Sequence, residues 1–362
     1  MVNTPQIPQK RLIAILALPC LFLFGLASIF PTSPSFSVQE SVQLAASFLI
    51  QTSTSYTGLE KEIFLELKVP RAILGLAVGI SLGLAGAGLQ GLLHNPLAEP
   101  GVMGISSFGA LGASIAFYSG AYSFIPLALP LGGILGAFIC SILLIVGVRA
   151  IPKTSTIILL GLALSALGGA LNALVLSLSP NPFAALEIVF WQMGSLADRT
   201  MSQVYLSVPI MFVGWLLLFQ SAGQLRVLGL GEETAVSLGV EINRLRLMVI
   251  IGSSLAVGAA VSVVGVIGFI GLIVPHLLRP FVGHDPSRLM PVSALGGGIL
   301  LLLADLFVRT LPIFSAELKI GVLTALIGTP FFIYLIFRSE LGHGFSRDCL
   351  LYTSDAADDD HC

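Results

Sequence analysis

A succession of long apolar runs, almost free of charge, constrains this chain more than any other feature. Residues 12–30, 72–93, 102–118, 125–148, 157–178, 204–219, 247–266, 290–308 and 320–337 each read as one run. A helix of about 20 apolar residues crosses roughly 30 Å of hydrocarbon, so each is a candidate membrane span. A tenth run, 269–281, is short and is broken by Pro275, His276 and Arg279. Alternation with period two is absent, which argues against a transmembrane β-barrel. The expected fold is therefore an all-α polytopic membrane protein with about ten transmembrane helices.

Composition agrees. Hydrophobic residues make up 56% of the chain and charged residues 10%, against about 25% charged in soluble domains. Lysine and arginine set the expected orientation. With a cytoplasmic N-terminus, Lys10, Arg11, Arg149, Lys153, Arg226, Arg244, Arg246, Arg279, Arg288, Arg338 and Arg347 lie inside. Lys61, Lys68, Arg71, Arg199, Arg309 and Lys319 then lie outside. The bias, with an even number of spans, predicts both termini in the cytoplasm. The first run reads as an uncleaved span, because Phe30-Pro31 offers no small-residue cleavage site. Cys20 and Cys140 fall within spans, Cys349 and Cys362 near the C-terminus, with no C-x-x-C pair. Neither a disulfide framework nor a metal site is expected.

Small residues recur every four positions in two spans. Gly75, Gly79, Gly83, Ala87 and Gly91 form one stripe, and Gly161, Ser165, Gly169 and Ala173 another. Such stripes let helices pack closely in lipid, and packing is the favoured reading over a substrate path. Ionisable residues inside the spans are few: Asp305 and Arg309 share a helix face, and His276 and Arg279 sit in the broken run. That scarcity weighs against an ion-coupled carrier.

Two loops are long. Residues 31–71 are polar and expected outside. Residues 221–246 are expected inside and contain "LGLGEETAVSLGVEINRLR". There Gly231, Glu232 and Glu233 open a short helix, favoured by its dipole. Ala235 and Leu238 follow at helical spacing, and Gly239 ends it in a left-handed cap. This helix either lies on the membrane surface or enters a groove of a cytoplasmic partner. No G-x-x-x-x-G-K-[ST] phosphate loop occurs, nor a Ser/His/Asp or H-E-x-x-H pattern. The chain is expected not to be an enzyme and not to hydrolyse ATP.

The segment "LQGLLHNPLAEPGVMGISSFGALGA" places Asn95-Pro96 and Glu99-Pro100 between two spans. Each proline pushes its predecessor out of helical geometry. The expected result is a cytoplasmic corner, with Glu99 solvated or capping.

Several motifs, in order, carry a resemblance. They run from "KVPRAILGLAVGISLGLAGAGLQGLLHNPLAEPGVMG" through "FWQMGSL", "LGEETAVSLGV", "GVIGFIGLIVPHLLRPFVGHD" and "LLLADLFVRT" to "ELKIGVLTALIGTPFFIYLI". This pattern resembles the FecCD-type permeases, the membrane subunits of binding-protein-dependent ABC importers for ferric siderophores, haem and vitamin B12. The resemblance covers residues 11–338. It implies an ABC importer type II permease fold over residues 1–345, embedded in lipid in the cell inner membrane. It also implies a permease dimer, homo- or heteromeric, with the path between the copies. A separate ABC ATPase subunit would hold ATP and Mg, with no cofactor on this chain. A substrate-binding protein would dock from outside, and no nucleic-acid partner is implied. By motif position, residues 221–246 become the ATPase coupling region, with Gly231, Glu232, Glu233, Ala235, Leu238 and Gly239 in it. Thr154 and Ser155 match the cytoplasmic gate. Lys68, Arg71 and Arg309 match outer cations that meet binding-protein carboxylates. Lys68 departs from the usual arginine, and Lys319 from a usual proline. The expected cargo is an iron complex, a ferric siderophore first, with haem or vitamin B12 as alternatives and a self-sufficient secondary carrier as the rival class. Residues 346–362, acidic and without apolar periodicity, read as non-native read-through rather than as a genuine acidic tail.

Overall fold

The computed structural model describes residues 8–30, 62–125, 127–150, 154–179, 182–311, 317–335 and 337. The described residues form helices α1 (Gln9–Ile29), α2 (Val69–Leu93), α3 (Ile105–Tyr118), α4 (Ala128–Ala150), α5 (Thr154–Ser177) and α6 (Pro182–Gln192). They continue as α7 (Met201–Leu228), α8 (Glu232–Ser237), α9 (Ile242–Val264), α10 (Ile270–Leu278), α11 (Pro286–Thr310) and α12 (Ile320–Leu335). Seven helices are long and apolar enough to cross a membrane, and three shorter apolar helices (α3, α10 with its following turn, and α12) complete the ten expected runs. Helices α6 and α8 are additional. The expected loop at 31–71 lies in part outside the described residues, as does the segment 346–362.

Four boundaries differ from the sequence reading. The outer loop does not run to Arg71. A π-turn over Phe64–Lys68 leads directly into α2, with Val69 N–H bonding to Phe64 O. Pro70, which has no N–H to donate, sits just inside α2, where the regular ladder would otherwise require one. Helix α7 runs on to Leu228, beyond the expected end at 219. Ser221, Leu225 and Leu228 extend its buried stripe at helical spacing, so the exposed part of the coupling region is shorter than 221–246. Helix α6 lies between two expected spans, in a stretch to which the sequence reading assigned no element. The fourth difference is the Asn95–Gly104 segment, described below.

Helix α2 is the axis of the bundle. It packs on α11, α9, α7 and α10, and with α9 it is the most enclosed of the long helices. Its first small-residue stripe faces α11. A Cβ added to Gly79 would collide with the carbonyl of Gly297, and one on Gly83 with that of Ser293. This is backbone-on-backbone packing, which small residues permit in lipid. The second stripe divides: Gly161 and Ser165 pack on the segment before α3, while Gly169 and Ala173 are exposed. Large apolar side chains on α1, α4, α5 and α7 point outward, including Leu18, Phe22, Leu135 and Leu159. In water they would be a liability, but against lipid they are the solvated face.

Candidate functional site

Three groups of residues stand out from this bundle, at its two ends and in its middle. At the end opposite α8, Arg71 in the first turn of α2 meets Asp305 near the end of α11. Arg71 Nε donates to Asp305 Oδ1 at 2.9 Å. Its two terminal nitrogens fork onto Glu317, just before α12, at 3.2 and 2.8 Å. Arg309, one turn beyond Asp305, donates to the other Asp305 oxygen and to Ala27 O at 2.9 Å. Lys68 is fully buried alongside. The cluster ties α1, α2, α11 and the start of α12 together. Lys68, Arg71 and Arg309 were expected as outer cations that meet binding-protein carboxylates, and all three stand at the end of the bundle opposite α8. All three are buried, and Arg71 and Arg309 are spent on carboxylates of the same chain. The Asp305–Arg309 pair was visible as an i, i+4 spacing. Glu317 and the long-range partner Arg71 were not, because 234 and 246 residues separate Arg71 from its two acids.

In the middle of the bundle the backbone is broken twice. After His94, which caps α2 in a left-handed conformation, residues 95–104 do not stay at the surface as a corner. They climb into the bundle. Gly101 O accepts from Ser165 Oγ at 3.3 Å, and Met103 O from Cys140 Sγ at 3.6 Å. Ser165 is eleven residues into α5, a depth of roughly 16 Å at 1.5 Å per residue. The second break precedes α10, which starts level with the half of α2 nearer α8, where Gly86 packs directly on Gly271. Irregular backbone at membrane depth is tolerated only where protein buries it or a cavity is lined by it. Here Glu99 joins the two breaks. It is buried, and its Oε1 accepts the N–H of Phe269, the residue that caps α10. Glu99 is thus a capping carboxylate, not a solvated one. Nearby, Gln90 of α2 donates to Gly271 O at 3.2 Å and accepts from Arg279. A cavity of about 690 Å³ lies beside α12, lined in part by Gln192, Val266, Phe269, Ala325 and Thr329.

At the α8 end, Gly231 has φ +108 and ψ 152, a conformation that only glycine adopts readily. It turns the chain from α7 into α8. Glu232 and Glu233 follow in the first turn, as expected. Arg246, buried in α9, donates to both Glu232 oxygens at 3.1 and 3.2 Å and so struts α8 against α9. Gly239 has φ +86, its N–H bonds to Val236 O, and Val240 N–H reaches back to Ala235 O. That pair of bonds is a Schellman cap. The expected apolar face needs one correction: Ala235 is fully buried and anchors α8 to the bundle. The exposed apolar surface is Leu230, Val236 and Leu238, at 67, 57 and 62% exposure. Of the expected gate, Thr154 begins α5 and Ser155 is exposed there, while residues 151–153 lie outside the described residues. Among the described residues no group of three His, Cys, Asp or Glu side chains is placed to hold a metal ion.

A multi-span helical bundle with half-helices meeting at mid-depth and a rigid, apolar-tipped knob at one end has the architecture of a membrane permease. The comparisons with known proteins make the family specific. The model of the FecCD transport family matches residues 20–338. The chain is 40% identical over 295 residues to the vitamin B12 import system permease protein BtuC of Vibrio cholerae, covering 79% of this chain and 86% of that one. It is 37% identical over 302 residues to the hemin transport system permease protein HmuU of Yersinia pestis, covering 82% and 90%. A solved inward-facing structure of a metal-chelate type ABC transporter superposes with a TM-score of 0.75 at 30% identity, covering 91% of this chain and 99% of that one. The chain belongs to the FecCD transport family, and is an ABC importer permease.

Proposed function

We propose that this chain carries a bulky metal chelate across the cell inner membrane, with energy from a separate ATPase that docks on the α8 knob. Residues Leu230, Val236 and Leu238 present apolar surface on a helix held rigid by Arg246, Gly231 and Gly239. An exposed apolar tip on a rigid mount is what a partner groove requires, and it is the observation that carries this reading. The α8 end and both termini are then cytoplasmic, two permease copies form the path, and a binding protein docks at the opposite end. In that arrangement Glu317 shares Arg71 with Asp305, so a docking carboxylate would compete with Glu317 for the same guanidinium. Ferric siderophore, haem and vitamin B12 are all metal chelates. The relatives import B12 and hemin, so the earlier preference for a siderophore has no more support than the other two. Thr154 and Ser155 at the start of α5 fit the cytoplasmic gate, and the chain itself needs no cofactor.

The test is uptake in proteoliposomes holding the permease, its ATPase and its binding protein. Radiolabelled cyanocobalamin, hemin and a ferric hydroxamate are offered in turn. ATP-dependent accumulation of one of them, insensitive to a protonophore, is the expected result. Accumulation without the ATPase, abolished by the protonophore, would make the chain a secondary carrier.

A further inference from the structure

Arg279 is set apart from the other arginines that the bundle encloses. Arg71, Arg246 and Arg309 each spend their charge on a carboxylate of this chain. Arg279, half-buried just after α10, has no carboxylate within ion-pair distance among the described residues. Its side chain donates to Oε1 of Gln90, a buried residue of α2 whose Nε2 is fixed on Gly271 O at 3.2 Å. A guanidinium carries five N–H donors, so most of those on Arg279 are unspent. None of its nitrogens is among the atoms sealed off without a partner. The unspent donors therefore face open space.

That space is a cavity of about 230 Å³ at the α8 end of the bundle. The end of α2 lends it Gln90 and His94, the turn between α10 and α11 lends Arg279 and His284, and Pro286 marks the start of α11. No carboxylate is among the lining residues. His284 N–H donates to Arg279 O at 3.3 Å, and Gly283 and His284 are both left-handed, with φ +68 and +64. The turn so folded brings both side chains to one space, and backbone held in this way is often found at ligand clamps. Asp285, next to His284, is already committed: it pairs with Arg226 and Arg288 and accepts from Ser287. Three arginines thus stand around one carboxylate. The end of α2 and the start of α11 present opposite dipole ends, which offset, so the side chains set the sign. The cavity is positive.

We infer that this cavity binds a phosphate group, held by the Arg279 guanidinium with His94 and His284 beside it. The planar fork of a guanidinium matches phosphate oxygens in pairs. A half-buried cation without an acid is costly, and an oxyanion beside it offsets that cost. Size narrows the ligand further. Sites for drug-sized molecules run to roughly 300–1,000 Å³, so this cavity is too small for a bulky chelate and is not a station for cargo. A basic pocket where a span ends is where a phospholipid headgroup meets a membrane protein. Inorganic phosphate presents the same oxygens.

The experiment is isothermal titration calorimetry on the full-length permease in detergent. The probes are inorganic phosphate and a short-chain phosphatidylglycerol. Chloride at matched ionic strength and a diacylglycerol of the same chain length are the controls. Saturable binding of at least one phosphate probe, absent with both controls, is the expected result. Binding of the lipid alone makes a headgroup the source, and binding of inorganic phosphate shows that the free ion suffices. Arg279→Gln removes the charge but keeps a hydrogen-bond donor, and should weaken binding about tenfold or more. His284→Ala, at an exposed position, should weaken it several-fold while the ligand-free melting temperature stays that of the parent. Arg244→Gln removes an exposed cation at the same end, outside the cavity, and should leave binding unchanged. No saturable binding of either probe overturns the site, as does binding that both Arg279→Gln and His284→Ala leave unchanged. Equal losses in Arg244→Gln and in the cavity variants would mean a general attraction to a basic surface, and overturn it too. Should Arg279→Gln not survive purification, His284→Ala and Arg244→Gln decide. The titration uses neither ATPase nor cargo, so its outcome is independent of the uptake test.

Discussion

Arg71 is the residue on which the long-range ion pairs at the end of the bundle opposite α8 converge. Its guanidinium makes three hydrogen bonds to two carboxylates on different elements. Removing one partner of a buried ion pair leaves an uncompensated charge and costs about 3–5 kcal/mol. Arg309 still pairs with Asp305 in Arg71→Ala, so this variant should lower the thermal stability of the detergent-purified permease measurably, but by less than that. Glu317→Gln, whose side chain is about a third exposed, should lower it far less. A melt of both variants against the parent checks this. Equal melting temperatures for Arg71→Ala and the parent would show that the cluster adds nothing to stability. From the sequence, Arg71 reads as a cation flanking a span, and snorkelling is the ordinary fate of such a residue. Its burial follows from a partner acid far away in the chain, which spacing does not show.

Helix α8 has two faces that differ in what they touch. Leu238 is mostly exposed and Ala235 is fully buried. Substitutions at exposed positions usually change stability by less than about 0.5 kcal/mol, whereas an unpaired charge forced into the core is costly. Leu238→Asp should leave the permease as stable as the parent but reduce co-purification of the ATPase. Ala235→Asp should destabilise the permease itself. If Leu238→Asp retains full ATPase binding, α8 is a surface-lying helix. The start, the acidic first turn and the glycine stop of α8 were legible in the sequence, because dipole and left-handed cap act within one helical turn. Which side faces the bundle was not, because a six-residue helix carries too little apolar pattern to choose. The same limit explains α7, read too short. Residues 220–228 mix polar and apolar side chains, yet Ser221, Leu225 and Leu228 keep one buried line.

On the scale of the whole molecule, the arrangement predicts which end faces the cytoplasm. Ser237 on α8 and Asp198 before α7 are both exposed, at opposite ends of the bundle. Ser237→Cys should react with an impermeant maleimide only in inverted vesicles, and Asp198→Cys only in right-side-out vesicles. The reverse pattern would invert the orientation and place α8 outside. Removal of residues 346–362 should leave insertion and ATPase binding unchanged, measured by co-purification. A loss of ATPase binding would make that segment part of the permease.

By itself the amino-acid sequence determined the solvent, the number of apolar spans and the family, because hydrocarbon thickness imposes a length and composition that neighbours cannot override. It also placed the breaks: two prolines after α2 and a short run at 269–281. Tertiary structure alone decided what those breaks do. Asn95-Pro96 and Glu99-Pro100 say only that a helix stops there, which a surface corner would satisfy equally well. That the chain turns inward, and that Glu99 meets Phe269, depends on contacts 170 residues apart. Burial of the Arg71 and Arg309 side chains was settled in the same way. A charged side chain near the end of a span is affordable at either an exposed rim or a buried cluster, and only the position of Asp305 and Glu317 selects between them.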